Sequence, residues 1–151
     1  MEKIKYQNKL DGKYTKNALD SLTMSPRPIK EHQIAIYFII LSLFSFFKKH
    51  RLNFLAISET ELGLPNSPAP DILVITKKKN ENVTFIEVTN SSNQSIAIEK
   101  STNALIEYHL QECFVYNYQT QNWYKITPEN VLNDETKSET LNFDLKNIKF
   151  Q

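Results

Sequence analysis

Glycine is nearly missing: Gly12 and Gly63 are the only two in 151 residues. Neither can build a GxxxxGK or GxGxxG loop, so the backbone cradles most nucleotide-binding enzymes use for phosphate are excluded. Cysteine is scarcer still. Cys113 alone permits no internal disulfide and no thiolate zinc cluster. No charged stretch followed by an apolar run opens the chain, and a cytoplasmic protein is expected. The three histidines, His32, His50 and His109, lie far apart without a nucleophile elbow, which leaves a Ser-His-Asp arrangement unsupported. An excess of one charge is lacking too, since 18 Lys and Arg face 17 Asp and Glu. Overall charge therefore announces no nucleic-acid partner, and any basic footprint has to be local, at Lys48-Lys49-His50-Arg51 or Lys77-Lys78-Lys79.

What is present suits one domain, because most domains span about 100–200 residues. Residues 1–24 are polar and Lys- and Asn-rich, and read as a loose N-terminal arm; residues 25–151 carry the domain. After Pro26 and Pro28 the stretch EHQIAIYFIILSLFSFFKKH reads as the longest helix, with Lys48, Lys49 and His50 complementing its C-terminal dipole. Ile34, Phe38 and Leu41 mark one apolar stripe, and Ile36, Ile40, Leu43 and Phe47 another. Its charge-free span, Ile34 to Phe47, falls short of the about 20 residues of a membrane crossing, so no membrane partner is expected. A helix apolar all round predicts burial between its own sheet and a second subunit, hence a homodimer through this first helix.

Beyond Arg51 the period shortens. RLNFLAIS, PDILVIT, NVTFIEVT, CFVYNY and NWYKI read as strands. Between the third and fourth, after a Ser92-Asn93 cap signal, Ile96, Ile98, Thr102, Leu105, Ile106 and His109 recur at near-helical spacing. LNFDLKNIKF reads as an edge strand or a short helix, and the polar segment before it carries no pattern.

Asp71 and Glu87 stand beside or inside apolar runs where a sheet interior belongs. A buried carboxylate needs a cation, a hydrogen-bond network or a raised pKa. If PDILVIT and NVTFIEVT form a hairpin, parity decides whether the two acids meet. A loop of five, Lys77 to Glu81, pairs Thr76 with Asn82 and sets Asp71 across from Glu87, with Cβ atoms about 4.5–5.5 Å apart. An even loop puts them on opposite faces unless a bulge shifts the register. Paired acids with no nearby Cys or His suit a hard ion, magnesium or manganese, that keeps its own waters. Thr89, two residues past Glu87, shares its face.

Pro70-Asp71, fifteen residues, then Glu87-Val88-Thr89 resembles the PD-(D/E)XK nuclease core, with Thr89 where that motif has lysine. With MSPRPIKEHQ, PDILVI, IEVTNSS and ECFVYNY in order, the chain from about Met24 to Phe150 resembles the Uma-two family of restriction endonucleases. The resemblance implies an α/β, restriction-endonuclease-like core: a mixed central β-sheet flanked by a long N-terminal helix and a second helix. It also implies a metal-dependent endonuclease acting on DNA, with Asp71 and Glu87 holding Mg2+ or Mn2+ and Lys100, from the second helix, as the third catalytic residue. The aspartate expected shortly before Lys100 is replaced by Ser95-Ile96-Ala97, and the tyrosine one turn later by Ala104 or Leu105. By analogy Glu31 is an outer ligand and His32 a phosphate or water contact; Glu59 and Glu61 are further candidates. Helical spacing sets Lys100 nearly opposite the Ile98, Leu105, Ile106 stripe, which suits a solvated lysine equally well. Trp123, Tyr116, Tyr118 and Tyr124 could stack bases or fill the core. The alternative is a catalytically impaired module of this fold that binds nucleic acid or a protein partner as a dimer; a third reading is a scaffold whose purpose is its dimer.

Overall fold

The computed structural model describes residues 29–63 and 67–151; the N-terminal arm and the Pro26 and Pro28 punctuation lie outside them. Helix α1 spans Lys30–Lys49, with Glu31 in its first turn and Lys48 and Lys49 in its last, the charge order its dipole favours. Strands β1 (Phe54–Ser58), β2 (Ile72–Thr76) and β3 (Asn82–Thr89) follow. Next come helix α2 (Gln94–Glu107), β4 (Cys113–Asn117), β5 (Asn122–Ile126) and β6 (Val131–Asn133). Among the described residues these strands form one sheet in the order β1-β2-β3-β4-β5-β6. Every pairing is antiparallel except β3 with β4, which α2 joins as a crossover.

Alternation along the strands divides the core in two. Ile72, Val74, Ile86 and Val88 face α1, meeting Ile36, Ile39, Leu43 and Phe47. Leu73, Phe85 and Val115 face α2, meeting Ala104 and Leu105. The sheet is thus covered on both sides, as the long apolar runs require. The second stripe of α1 is the buried one. Along the first, Ile34 and Leu41 are exposed, and Tyr37 and Phe44 extend the exposed row at intervals of three and four. By length and composition α1 is apolar enough to cross a membrane, but its Ile36, Ile39, Leu43 face packs on the sheet.

On α2 the expected stripe needs correction. Ser101, Ala104 and Leu105 are buried, whereas Ile96 and Ile106 are 65% and 55% exposed. The small residues Ser101 and Ala104 let the helix lie close to the sheet, which rotates the large isoleucines outward.

The hairpin register also departs from the five-residue loop. The Thr76 N–H donates to the Glu81 carbonyl at 2.9 Å, which leaves a four-residue turn, Lys77 to Asn80, with Asn80 at φ 54°. Thr76 therefore does not pair with Asn82; Ile75 does, and Thr84 then pairs with Val74. Val83 is the extra residue, a β-bulge that shifts the ladder by one. Past it, Ile72 faces Ile86, so Asp71 and Glu87 are again opposite each other.

Scarce glycine leaves its mark at the helix ends. Arg51 and His109 take the left-handed conformation just past α1 and α2, at φ 54° each. Both ends close the same way, Leu52 N–H to Phe47 O at 2.9 Å and Leu110 N–H to Leu105 O at 3.0 Å, a geometry glycine usually supplies.

The C-terminal stretch is both things the sequence allowed. Phe143–Asp144 is β8, paired with β7 (Lys137–Ser138) in a small second sheet, and Leu145–Asn147 is a 3-10 turn. A buried carboxylate, Glu112, fastens this segment to the start of β4. Its Oε1 accepts from Ser138 Oγ, from Thr140 Oγ1 at 2.7 Å and from Thr140 N–H at 3.2 Å. Its Oε2 accepts from Glu139 N–H at 3.1 Å and from the Lys125 ammonium at 3.2 Å. Lys125 is itself buried and also donates to the Lys137 carbonyl at 2.8 Å.

Candidate active site

At the end of the sheet where β3 stops, the N-terminal turns of α1 and α2 flank a cavity of about 530 Å³. Asp71, just before β2, and Glu87, on β3, reach it from adjacent strands; His32 enters from α1 and Lys100 from α2. The four side chains form a row. His32 Nε2 donates to the Val88 carbonyl at 2.9 Å and stands 3.3 Å from Asp71 Oδ2. Asp71 Oδ2 also accepts the Val88 N–H at 2.8 Å, which turns its carboxyl over the strand end. Asp71 and Glu87 stand side by side on adjacent strands, and Lys100 Nζ donates to Glu87 Oε1 at 3.2 Å.

Electrostatics separate the two acids. Burial pushes Glu87 up, the adjacent Asp71 charge pushes it further, and Lys100 restrains it, leaving it at about 7. For Asp71 burial is opposed by hydrogen bonds from His32 and the Val88 N–H and by the His32 charge, and its pKa falls below the ordinary carboxylate value. The Asp71 hydrogen bond holds His32 above its usual range against the opposing effect of burial. Near neutrality Glu87 is therefore about half protonated, while Asp71 stays ionised.

Of the residues singled out in the sequence, Asp71, Glu87 and Lys100 are brought together, with Thr89, His32 and Glu59 on the same cavity wall. Lys100 is not opposite the buried face of α2. Because that face centres on Ser101 and Ala104, Lys100 lies on its flank, with its side chain 47% exposed and its amine on Glu87. Glu31 and Glu61 do not line the cavity. Nor do Trp123 and Tyr116, which are buried: Trp123 lies 4.6 Å from Tyr116, and Tyr116 stacks on Phe150 at 4.7 Å. Of the four aromatics only Tyr118 reaches the cavity, edge-on to His32 at 6.3 Å. Gln33, Asn90 and Asn93 on the rim were not anticipated; polar amides carry no periodic signal to mark them.

Among the described residues no group of three or more His, Cys, Asp or Glu side chains is arranged to enclose a metal. The donor set is two carboxylates. Asp71 Oδ2 and Glu87 Oε1 are engaged, and the other oxygen of each takes no N–H donor among the described residues. An oxygen-only donor set of two carboxylates fits a hard ion that keeps several waters, and does not fit zinc.

No family model and no curated protein matches the sequence. Among solved structures, a protein from Anabaena variabilis ATCC 29413, described as a "putative nuclease belonging to DUF820", superposes with a TM-score of 0.62. The match covers 82% of each chain at 16% identity. The two proteins share a fold. The mixed sheet with α1 on one face and α2 on the other is therefore the α/β fold of that protein, the fold class the motif resemblance implied.

Proposed function

We propose that this chain is a metal-dependent endonuclease of the Uma-two type, hydrolysing phosphodiester bonds of DNA in the cytoplasm. One observation carries the reading: Asp71, Glu87 and Lys100, apart in sequence, converge on one cavity in a nuclease-like fold. Asp71 and Glu87 are the residues that would hold magnesium or manganese. The bound ion would polarise the phosphate and lower the pKa of a water. The chain's own contributions are distinct. His32 and the Val88 N–H hold Asp71 ionised and fixed. Lys100, half in water at the cavity mouth, offers a positive charge to a phosphate as negative charge develops on it.

Titration calorimetry with Mn2+ and Mg2+, beside incubation with supercoiled and single-stranded DNA, tests this. Metal binding and cleavage are expected for the natural chain and are lost in both Asp71→Ala and Glu87→Ala. Cleavage untouched by either substitution refutes the assignment.

The catalytically impaired alternative is favoured by Thr89 standing at the motif lysine position. Metal binding and DNA retention without cutting would select it. The homodimer through α1 is proposed on the exposed row Ile34, Tyr37, Leu41 and Phe44, an apolar edge of a/d spacing opposite the packed face.

A further inference from the structure

The two basic runs of the sequence meet in space. Lys48, Lys49, His50 and Arg51 lie at and just past the C-terminal end of α1, and Lys77, Lys78 and Lys79 form the turn between β2 and β3. β1 is antiparallel to β2 with Phe54 opposite Thr76, and the Lys77 N–H donates to the Asn53 carbonyl at 3.0 Å. All seven side chains are exposed. Six permanent cations thus share one end of the molecule, and the turn that carries three of them holds no acid and is followed by one, Glu81. Among the described residues none of the six forms an ion pair.

The acid cavity is at the other end. Asp71 precedes β2 where Lys77 follows it, and His32 stands 17 residues before Lys49 on one helix, about 25 Å at 1.5 Å per residue. A chain with a net charge of only +1 is therefore polarised along the sheet. Six cations gathered without ion-pair partners, Lys48 lying over the Phe44 ring, repel one another, and a polyanion is the ligand that relieves this. Residues 48–53 and 76–82 expose no large apolar side chain. Membrane-surface binding draws on such side chains for insertion, whereas a phosphate backbone needs only charge.

We propose that Lys48, Lys49, Arg51 and Lys77 to Lys79 form a docking surface for the phosphate backbone of nucleic acid, separate from the acid cavity. It does not depend on whether the cavity hydrolyses anything.

The test is fluorescence anisotropy with a labelled duplex of about 30 base pairs in EDTA, from about 50 to about 200 mM salt. The natural chain is expected to bind with a log–log salt slope of about −3 or steeper, since each neutralised phosphate contributes about −0.9. Lys77→Glu, Lys78→Glu, Lys79→Glu combined, in an exposed turn, is expected to weaken binding at least about tenfold and flatten that slope by about 2–3. Lys48→Glu with Arg51→Glu is expected to do the same, with circular dichroism confirming the fold of both. Equal binding by the basic-end variants overturns the proposal. So does absence of DNA binding altogether, or capture by phosphatidylserine vesicles without binding to DNA. Failure to cleave DNA, by contrast, bears on the cavity alone.

Discussion

Replacing Glu112 with glutamine asks how much one buried carboxylate contributes to this fold. The amide keeps one oxygen for Ser138 and Thr140, but places an N–H₂ group against the Glu139 N–H and the Lys125 ammonium, each now 3.1–3.2 Å from an acceptor. Breaking a buried ion pair by removing one partner costs about 3–5 kcal/mol. Lys125 retains the Lys137 carbonyl, so the lower end, about 3 kcal/mol, is expected. For a domain of this length that corresponds to a melting point lower by about 6–12 °C, at about 2–4 °C per kcal/mol. Thermal and urea melts of Glu112→Gln, Lys125→Met and the double variant provide the measurement. The second substitution should cost less once the first is made, because the two side chains touch. pH adds an independent arm. Burial works against the Glu112 charge, but hydrogen bonds from Ser138, Thr140 and Glu139 with the Lys125 charge outweigh it, and the pKa lies below the ordinary 4.5. A lowered folded-state value stabilises fully above about 4.5 and is lost as the pH falls through the folded pKa. The gap between natural chain and Glu112→Gln should therefore shrink in acid. A melting point within about 2 °C of the natural chain at pH 7, or strictly additive losses, would refute the reasoning.

Lys100→Met removes the charge that restrains Glu87, so the Glu87 titration seen by carboxyl NMR should move up from about 7; the amine is half in water, which keeps the change well under tenfold in proton affinity. A downward move would contradict the Lys100–Glu87 contact. His32→Leu should destabilise by about 1 kcal/mol in acid and less in alkali, because a raised histidine pKa stabilises fully below 6.5 and is lost as the pH rises through the folded value; a gap that widens with pH argues against the Asp71 hydrogen bond. Leu41→Glu with Phe44→Glu should leave a monomer in sedimentation velocity, and a natural chain that already sediments as a monomer removes the dimer. His109→Gly relieves a left-handed residue in an exposed turn and should raise stability by about 0.5–1 kcal/mol in urea melts, with no gain counting against the strain.

Much of the fold could be read from the chain because its signals are long. The α1 run of apolar residues between Pro28 and the basic cluster, and the β-branched strands that flank the acids, leave little room for another period. Three features escaped that reading. The α2 face was misjudged because size misled: Ile96 and Ile106 look like core, while close approach to the sheet selects Ser101 and Ala104. The Glu112 anchor is assembled from residues 13 to 28 positions away, with no local pattern to announce it. β6 and β7 are only three and two residues long, too short to show a period, and are paired by neighbours rather than by a pattern of their own. The site shows the same division. Asp71 and Glu87 were marked by their misfit in apolar strands, whereas the position of Lys100 depended on a helix rotation that the isoleucines concealed.

Val83 makes the acid pair indifferent to the turn beside it. Four residues between strands would on their own send the two carboxyls to opposite sides of the sheet; the inserted residue restores the parity between the turn and Glu87. The consequence is a fragile spot far from the chemistry: if Val83 were drawn into the ladder opposite Val74 with the turn intact, every later side chain of β3 would change face, burying Glu87 beneath α1 and offering Val88 to the cavity in its place, whereas deleting Val83 would leave Thr84 on Val74 and Glu87 across from Asp71.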